Sequence, residues 1–333
     1  MMLATTPNAA KDRGICGLCE ARLPVWQHVP VDHWKLRENF HSDAYWCVRC
    51  GYGSVQPMPS RNDVSEFYRF EQYYTHREPV QVRADEEQFL DRLRVHLAWR
   101  LDHGDPLTES HVHRALKGSL SRICDLGCGG GDLSSELREL GHTVVGVEVD
   151  AAAASRRCAG EVEILEGTAE ELPAALRGRR FDCVILRHVL EHCREPARAL
   201  ANAFALLEPR GIMLCEVPNN AALGLRNVGC AWAMFDMPRH LHFFTRQSLM
   251  RVSEQAGFRV HEAYFANYHR QFENDWIESE QRIWSKLMGL SRKPHPAPLR
   301  NSRLRAWRQL ITSAFMPAAL KYDSVGVVAV RPA

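Results

Sequence analysis

A glycine-rich loop that follows a short β-type segment constrains the fold of this chain more than any other feature. Ile123-Cys124-Asp125-Leu126 has the composition of a buried strand, and Gly127-Cys128-Gly129-Gly130-Gly131-Asp132 follows it directly. Glycines at such a place let the backbone approach a ligand too closely for any side chain. The segment therefore predicts a strand, a ligand-binding turn and a helix in succession.

The residues after this loop alternate between short β-branched runs and helical stretches. Further strands are predicted at 143–149, 162–165, 181–187 and 212–217, with helices in the gaps between them. This alternation is typical of a parallel sheet with helices on both faces. The main domain is therefore expected to have an α/β fold.

The acids around the loop indicate which kind of ligand it binds. A dinucleotide fingerprint requires glycine at position 132, but Asp132 is there, and Asp125 precedes the first glycine by two residues. An acid beside the loop repels a phosphate and favours a cationic ligand that carries an amino group. Glu148 ends the second predicted strand, where an acid is suited to ribose hydroxyls.

Two CxxC pairs, 27 residues apart, occupy the first part of the chain. They are Cys16 with Cys19 and Cys47 with Cys50. Four thiolates at this spacing complete a tetrahedral zinc shell, and Gly51 permits the positive φ of such a turn. The pattern predicts a structural zinc ribbon. A disulfide pair or a thioredoxin-like redox site is the alternative.

Length and composition indicate more than one structural unit. The chain has 333 residues, 45% of them hydrophobic, and a formal charge of +2. We expect a zinc ribbon over 1–58, a helical linker region over 59–118 and the main domain over 119–333. The linker is predicted to hold helices at 60–74 and 85–102, the second with Leu90, Leu93, Leu97 and Leu101 on one apolar stripe.

The location expected for this protein is cytoplasmic. The first residues lack the apolar core of a signal peptide, and nowhere do about 20 apolar residues run together. Eleven cysteines, an odd number, fit reduced thiols better than a disulfide framework.

Several motifs together resemble the class I S-adenosylmethionine-dependent methyltransferases. These are DLGCGGG at 125–131, VVGVEVD at 144–150, FDCVILRHVLEH at 181–192, LLEPRGIMLCEVPN at 206–219 and the segment 235–258, the last similar to methyltransferases with an N-terminal zinc ribbon. The resemblance implies a Rossmann-like seven-stranded sheet with helices on both faces. It also implies S-adenosylmethionine as cofactor, and residues 324–331 as the final antiparallel strand.

The cofactor residues are carried over by position from that family. Those expected at the methionine moiety and along the loop are Asp125, Gly127, Gly129 and Gly131. Glu148 is expected at the ribose, Thr168 and Ala169 at the adenine, and Arg187 with His188 at the methionine end. The family commonly has Asp before the alanine, where this chain has Thr168.

The acceptor side is predicted from four histidines: His188, His192, His240 and His242. Methyl transfer can proceed without a base, but for a hydroxyl or an acidic carbon a histidine that titrates near neutral pH is the natural proton acceptor. His240 is the first candidate for a catalytic base and His188 the second, although a structural role is the alternative for each histidine. Arg239 would clamp an anionic group of the acceptor or form a surface ion pair.

A basic helical insertion is expected at about 268–322. Residues 281–322 contain nine Lys or Arg and no Asp or Glu, and apolar residues recur at helical spacing from Leu304 to Phe315. Three interpretations are open: a lid over the active site, a surface that attracts an anionic acceptor, or a helix on anionic lipid.

The function expected from these features is methyl transfer to a small molecule, on oxygen or carbon, such as a sugar derivative or a biosynthetic intermediate. Arg187-His188-Val189 follows the fourth strand, where enzymes that methylate nucleic-acid bases have Asn or Asp followed by Pro-Pro and an aromatic residue. We expect no nucleic-acid partner. The alternatives are a non-catalytic cofactor-binding module whose ribbon docks a partner, or a macromolecule methyltransferase.

Overall fold

The computed structural model describes residues 14–29, 32–33, 42–68, 89–158, 161–290 and 302–333. Within these ranges the chain forms two β-sheets and a short β-ribbon, with helices packed around the larger sheet.

The larger sheet has seven strands in the described part of the chain. They are β6 (Arg122–Leu126), β7 (Thr143–Glu148), β8 (Glu163–Glu166), β9 (Phe181–Arg187), β10 (Leu207–Pro218), β12 (Arg259–Ala266) and β13 (Ser324–Val330). Their order across the sheet is β12-β13-β10-β9-β6-β7-β8. Strands β6 to β10 are parallel, and β13 is antiparallel between β10 and β12. Every strand expected from the sequence is present, and the seven-stranded Rossmann-like sheet is confirmed.

Helices cover both faces of this sheet. They are α3 (Glu109–Ala115), α4 (Asp132–Glu139), α5 (Ala151–Arg157), α6 (Pro196–Leu206) and α8 (Arg246–Gln255). Helix α7 (Leu223–Val228) instead belongs to the apolar cluster that contains Val29, Ala44 and Val55. Two of the helices on the sheet begin at threonine caps: Thr108 accepts from the His111 amide, and Thr245 forms a capping box with Ser248. Apart from Asp125, the buried residues of β6 and β9 are apolar, as expected for a sheet buried on both sides.

The cysteine-bearing part of the chain forms the smaller sheet. It contains β3 (Val25–Val29), β4 (Ser42–Cys47) and β5 (Tyr52–Gln56), and β1 (Gly14–Ile15) pairs with β2 (Arg22–Leu23) beside it. A fourth strand, β11 (His242–Phe244), comes from the main domain and pairs antiparallel with β5. The domain boundary at residue 58 stays a prediction. The pairing of β11 with β5 joins residues from the two sides of that boundary.

The two helices before the main domain only partly follow expectation. Helix α1 (Arg61–Tyr68) begins after Ser60, whose hydroxyl accepts from the Asp63 amide. Helix α2 spans Phe89–Leu101, and the predicted segments 69–74 and 85–88 lie outside the described residues.

The predicted apolar stripe of α2 is only partly buried, with Leu93 and Leu101 half-buried. Leu90 is 58% exposed and Leu97 is 38% exposed, whereas Asp91, Arg94 and Ala98 are buried. The reason is a satisfied polar contact: Arg94 donates to Asp91 (2.6 Å) and to the Phe272 carbonyl (3.0 Å). A buried ion pair with additional hydrogen bonds replaces the expected leucine contact.

Among the described residues between β12 and β13 there are three α-helices: α9 (Asn274–Leu290), α10 (Ser302–Ser313) and α11 (Ala318–Lys321). Helix α10 buries Ala306 and Leu310 and exposes Ile311, and Arg305 is paired with the buried Glu280 (2.6 Å). The proline-rich segment 293–298 lies outside the described residues. No helix in the described ranges combines the length and the apolarity that crossing a bilayer requires.

Candidate active site

The glycine loop lies at the carboxyl end of β6, at the centre of the sheet. Gly127, Gly129 and Gly131 have φ of 74°, 58° and 80°, values that side chains strongly disfavour. A Cβ on Gly127 would lie 2.5 Å from Val189 Cγ2, and one on Gly131 would lie 2.1 Å from Cys158 Sγ. The loop is thus closely packed from behind and presents bare backbone at the strand ends, where ligands of open α/β sheets bind.

Two acids flank this loop. Asp125 is 2% exposed and accepts from Ser134 Oγ at 2.8 Å, and burial raises the pKa of its carboxyl group against the opposing effect of Arg187. Glu148 accepts from the amides of Gly129 (2.8 Å) and Val149 (2.9 Å). Because each carboxylate oxygen has two lone pairs, these bonds leave Glu148 able to accept from ligand hydroxyls. Both acids adjoin the glycine loop, and their contact with the cofactor stays a prediction.

The loop after β8 is held in shape by hydrogen bonds within the loop and by hydrogen bonds from Asn202 of α6. Thr168 Oγ1 accepts from the Glu171 amide at 2.8 Å, and the Ala169 carbonyl accepts from Asn202 Nδ2 at 2.8 Å. The Thr168 hydroxyl keeps its proton to donate, and Ala169 is buried. The adenine contact of these two residues stays a prediction.

The end of β9 brings Arg187 and His188 to the same region. Arg187 donates to the Leu107 carbonyl at 3.2 Å, and its charge acts on Asp125. His188 has φ of 56° and donates its amide to the Glu216 carbonyl at 2.8 Å. Such strained backbone away from glycine is characteristic of functional sites.

The His188 ring lies between two buried carboxylates. Its Nδ1 is 3.2 Å from Glu191 Oε1, and its Nε2 is 3.4 Å from Glu216 Oε1. Burial alone would lower the pKa of His188, but the two carboxylates outweigh it and raise the pKa to about 9. The ring is therefore an imidazolium at neutral pH, which is suited to orienting an acceptor and unsuited to accepting its proton.

His240, the first predicted base, is in a different environment. It is 6% exposed, and its Nδ1 lies 2.9 Å from the Met234 carbonyl. Its ring centroid is 4.6 Å from that of His192. Burial, and to a smaller extent the neighbouring His192, lowers the pKa of His240 to about 4. His240 is thus neutral at pH 7, the protonation state that a base or a metal ligand needs.

Two neighbouring candidates are bound in structural contacts. Arg239 is buried and donates to Asp236 (2.8 Å) and Asp32 (3.0 Å), so the ion pair predicted at the surface is internal. His242 lies between the Tyr52 hydroxyl (2.6 Å) and the Arg194 carbonyl (3.3 Å). Both residues connect the cysteine-bearing sheet to the main domain.

The four predicted zinc ligands come together. One sulfur atom from each of Cys16, Cys19, Cys47 and Cys50 lies within 4.8 Å of the others. The Leu18 amide points at Cys16 Sγ (3.4 Å), and Arg251 from α8 points at Cys50 Sγ (3.5 Å). Four converging thiols with such donors around them fit a zinc ion.

The sequence interpretation missed three polar residues of this region. Glu216 and Glu191 are 2% and 1% exposed, and Asn202 fixes the loop after β8. Glu216 had a signal, since a lone acid stands within the apolar run Leu214-Cys215-Glu216-Val217. A buried carboxylate requires a partner, and that requirement points to a site.

Comparisons with known proteins agree with this arrangement. A family model described as a methyltransferase domain matches residues 101–263. The ubiquinone biosynthesis O-methyltransferase of Dinoroseobacter shibae is 35% identical to this chain, over 41% of this chain and 59% of the relative. That of Azorhizobium caulinodans is also 35% identical, over 45% of this chain and 62% of the relative. The same enzyme of Cereibacter sphaeroides is 34% identical over 47% of this chain and 70% of the relative.

The chain spans about three fifths of the length of the first two relatives. The match covers the glycine loop, both flanking acids and the turn after β9. Together with the seven-stranded sheet, these matches show that the chain belongs to the class I S-adenosylmethionine-dependent methyltransferases.

Proposed function

We propose that this protein transfers a methyl group from S-adenosylmethionine to an oxygen atom of a small-molecule acceptor. The observation that carries the proposal is the bare glycine backbone beside the buried Asp125, with a polar histidine and glutamate cluster next to it at the end of β9. The cofactor, when bound, supplies a methyl group on a positively charged sulfur. An anionic surround of this kind stabilises a cation and its amino group.

The residues proposed to hold the cofactor are those expected from the family. Asp125 and the glycines Gly127, Gly129 and Gly131 would hold the methionine moiety, and Glu148 would accept from the ribose hydroxyls. Thr168 and Ala169 would contact the adenine, and Arg187 would lie at the methionine end. The close packing behind the loop supports this, because it keeps the backbone ready for contact without rearrangement.

Oxygen is the better acceptor atom than carbon. The relatives that match are named for O-methylation in ubiquinone biosynthesis. Sugar derivatives and biosynthetic intermediates with a free hydroxyl group stay within the proposed acceptor class. We propose His240 as the group that handles the hydroxyl proton, and the imidazolium of His188 as the group that orients the acceptor.

The ribbon cysteines are proposed to bind a structural zinc ion. Four sulfur ligands close the coordination shell and leave no position for a substrate. The convergence of the four sulfur atoms supports zinc over the disulfide and redox alternatives. An anionic acceptor or an anionic lipid surface at residues 281–322 stays a prediction, supported by the exposed Arg303 and Arg308 of α10. The cytoplasmic location also stays a prediction.

The test is transfer of a labelled methyl group from S-adenosylmethionine into a cell extract. Purified zinc-loaded protein is incubated with the extract, which is then separated into small-molecule, lipid and macromolecular fractions. We expect label in the small-molecule fraction in a form that releases labelled iodomethane when hydriodic acid cleaves the methyl ether. Asp125→Ala should abolish the transfer, whereas His261→Ala, on the exposed face of β12, should not change it.

Each other outcome overturns part of the proposal. Label in macromolecules would favour a macromolecule methyltransferase, and label in lipid would give the basic segment a substrate-docking role. Cofactor binding without any transfer, across extracts from several sources, would favour the non-catalytic module.

A further inference from the structure

Three side chains that could bind a metal converge beside the proposed acceptor site. Glu191 and His192 belong to a single 3-10 turn, Leu190–His192, that follows β9, and His240 comes from the loop before β11. One ligand atom from each of the three lies within 4.8 Å of the others. The group is separate from the four cysteines and contains no sulfur.

Both imidazoles of this group are oriented by backbone carbonyls. Nδ1 of His192 lies 3.1 Å from the Arg239 carbonyl, and Nδ1 of His240 lies 2.9 Å from the Met234 carbonyl. Because a carbonyl only accepts, Nδ1 must carry the proton in each neutral ring, and Nε2 then has the lone pair. Histidines that ligate metals are held by the same outer-shell bond in most proteins.

The carboxylate of the group has an unsatisfied oxygen. Glu191 is 1% exposed, and its Oε1 faces His188 Nδ1 at 3.2 Å. Its Oε2 is buried and has no hydrogen-bond partner in the described part of the chain. A buried carboxylate oxygen without a partner is destabilising, so the site needs a cationic or hydrogen-bonding ligand at this atom.

We propose that Glu191, His192 and His240 bind a divalent transition-metal ion, with zinc as the best match. Two nitrogen ligands and one carboxylate favour zinc or a similar ion over magnesium, which prefers oxygen ligands. Three protein ligands also leave a fourth position open, as in zinc sites that act on a substrate. The ion would be the second one in the chain, after that of the ribbon.

The role of such an ion rests on the proposed methyl transfer. A hydroxyl group that occupies the open position has a lowered pKa, and its proton passes to solvent water. The oxygen is then the nucleophile that takes the methyl group as the carbon–sulfur bond breaks. In the metal-loaded protein His240 is therefore a ligand, and the ion replaces it in promoting loss of the proton.

The test is the metal content of the full-length protein after zinc loading and removal of free metal. We expect two equivalents of zinc by mass spectrometry. A thiol-reactive mercurial should release only the equivalent held by cysteines. His240→Ala and Glu191→Gln should each retain one equivalent, which the mercurial releases completely.

His113→Ala is the matched control, because His113 also pairs with a second histidine, His142 (3.2 Å), but has no carboxylate in that pair. It should retain two equivalents. Glu191→Gln keeps the volume of the side chain, so it separates metal loss from unfolding, and circular dichroism and the melting temperature verify the fold of each variant. One equivalent in the folded wild-type protein, or two in both folded site variants, would overturn the inference.

Metal content does not depend on turnover, so the two proposals fail independently. Two equivalents without methyl transfer would retain the site and remove its assigned role. Transfer at full rate by a protein with only the ribbon zinc would retain the proposed function and reject the site.

Discussion

Single residues set the cofactor surface, and the glycine loop shows this most directly. Gly131 combines φ of 80° with a neighbour that a Cβ would overlap, Cys158 Sγ at 2.1 Å. Gly178 has nearly the same backbone, with φ of 76°, but nothing lies within 4 Å of its Cβ position. A comparison of substitutions at these two glycines therefore distinguishes the effect of backbone strain from the effect of steric overlap.

Gly131→Ala is expected to weaken S-adenosylmethionine binding at least tenfold, roughly 1.4 kcal/mol, because the loop must shift to relieve the overlap. Gly178→Ala should cost only the strain of a left-handed residue, about 1–2 kcal/mol of stability, and leave binding unchanged. Titration calorimetry with the cofactor and chemical unfolding of both variants measure the two effects. Equal affinities would show that the loop adapts to a side chain.

The residue scale is also where sequence and structure agree best. Asp125, Glu148 and the three positive-φ glycines lie where motif spacing put them, because loop and strand are adjacent in the chain. The pairing of His188 with Glu216 was beyond such reasoning. His188 directly follows β9 and Glu216 lies on the neighbouring β10, so only the sheet order brings them together.

At the scale of elements, helix α2 shows how tertiary contacts override a helical pattern. Its leucines are spaced for one apolar stripe, yet the buried face carries Asp91 and Arg94. Arg94 also donates to Asn274 Oδ1 at 2.7 Å, so it links α2 to the start of α9. The helix is thus oriented by a polar network with partners far away in the sequence.

Arg94→Ala is expected to destabilise the protein by about 3 kcal/mol, since it leaves the buried Asp91 carboxylate without its main partner. Leu90→Ala, at an exposed position of the same helix, should change stability by less than about 0.5 kcal/mol. Urea unfolding followed by circular dichroism gives both values. A larger cost for the leucine variant would restore the apolar-stripe interpretation.

At the scale of the whole molecule, the cysteine-bearing sheet and the main domain share one core. Strand β11 extends the smaller sheet, and the buried cluster that includes Cys47 and Cys50 continues through Phe244 and Leu249. The buried contact between Arg239 and Asp32 connects the same two regions. The ribbon therefore should not unfold by itself.

Cys50→Ser, which removes one of the four sulfur ligands, is expected to lower the melting temperature by about 10 °C in a single transition. The shared core transmits the loss of the ribbon to the rest of the chain. Cys230→Ser, at a half-buried cysteine outside the cluster, is the control and should have little effect. Differential scanning calorimetry distinguishes the result from a separate ribbon transition that leaves the main transition unchanged.

The sequence by itself determined the α/β class, the succession of strands along the chain, the glycine loop and which four cysteines come together. These depend on hydrophobic period, glycine conformation and short spacings, all of which are local. Only the tertiary structure decided which polar side chains meet: Glu191 with His240, His188 with Glu216, and Arg239 with Asp32. It also decided that β11 pairs with β5. Each of these pairs joins two segments that are far apart in the chain. Burial of the paired side chains, and not the composition of the segments, gives the side chains their chemistry.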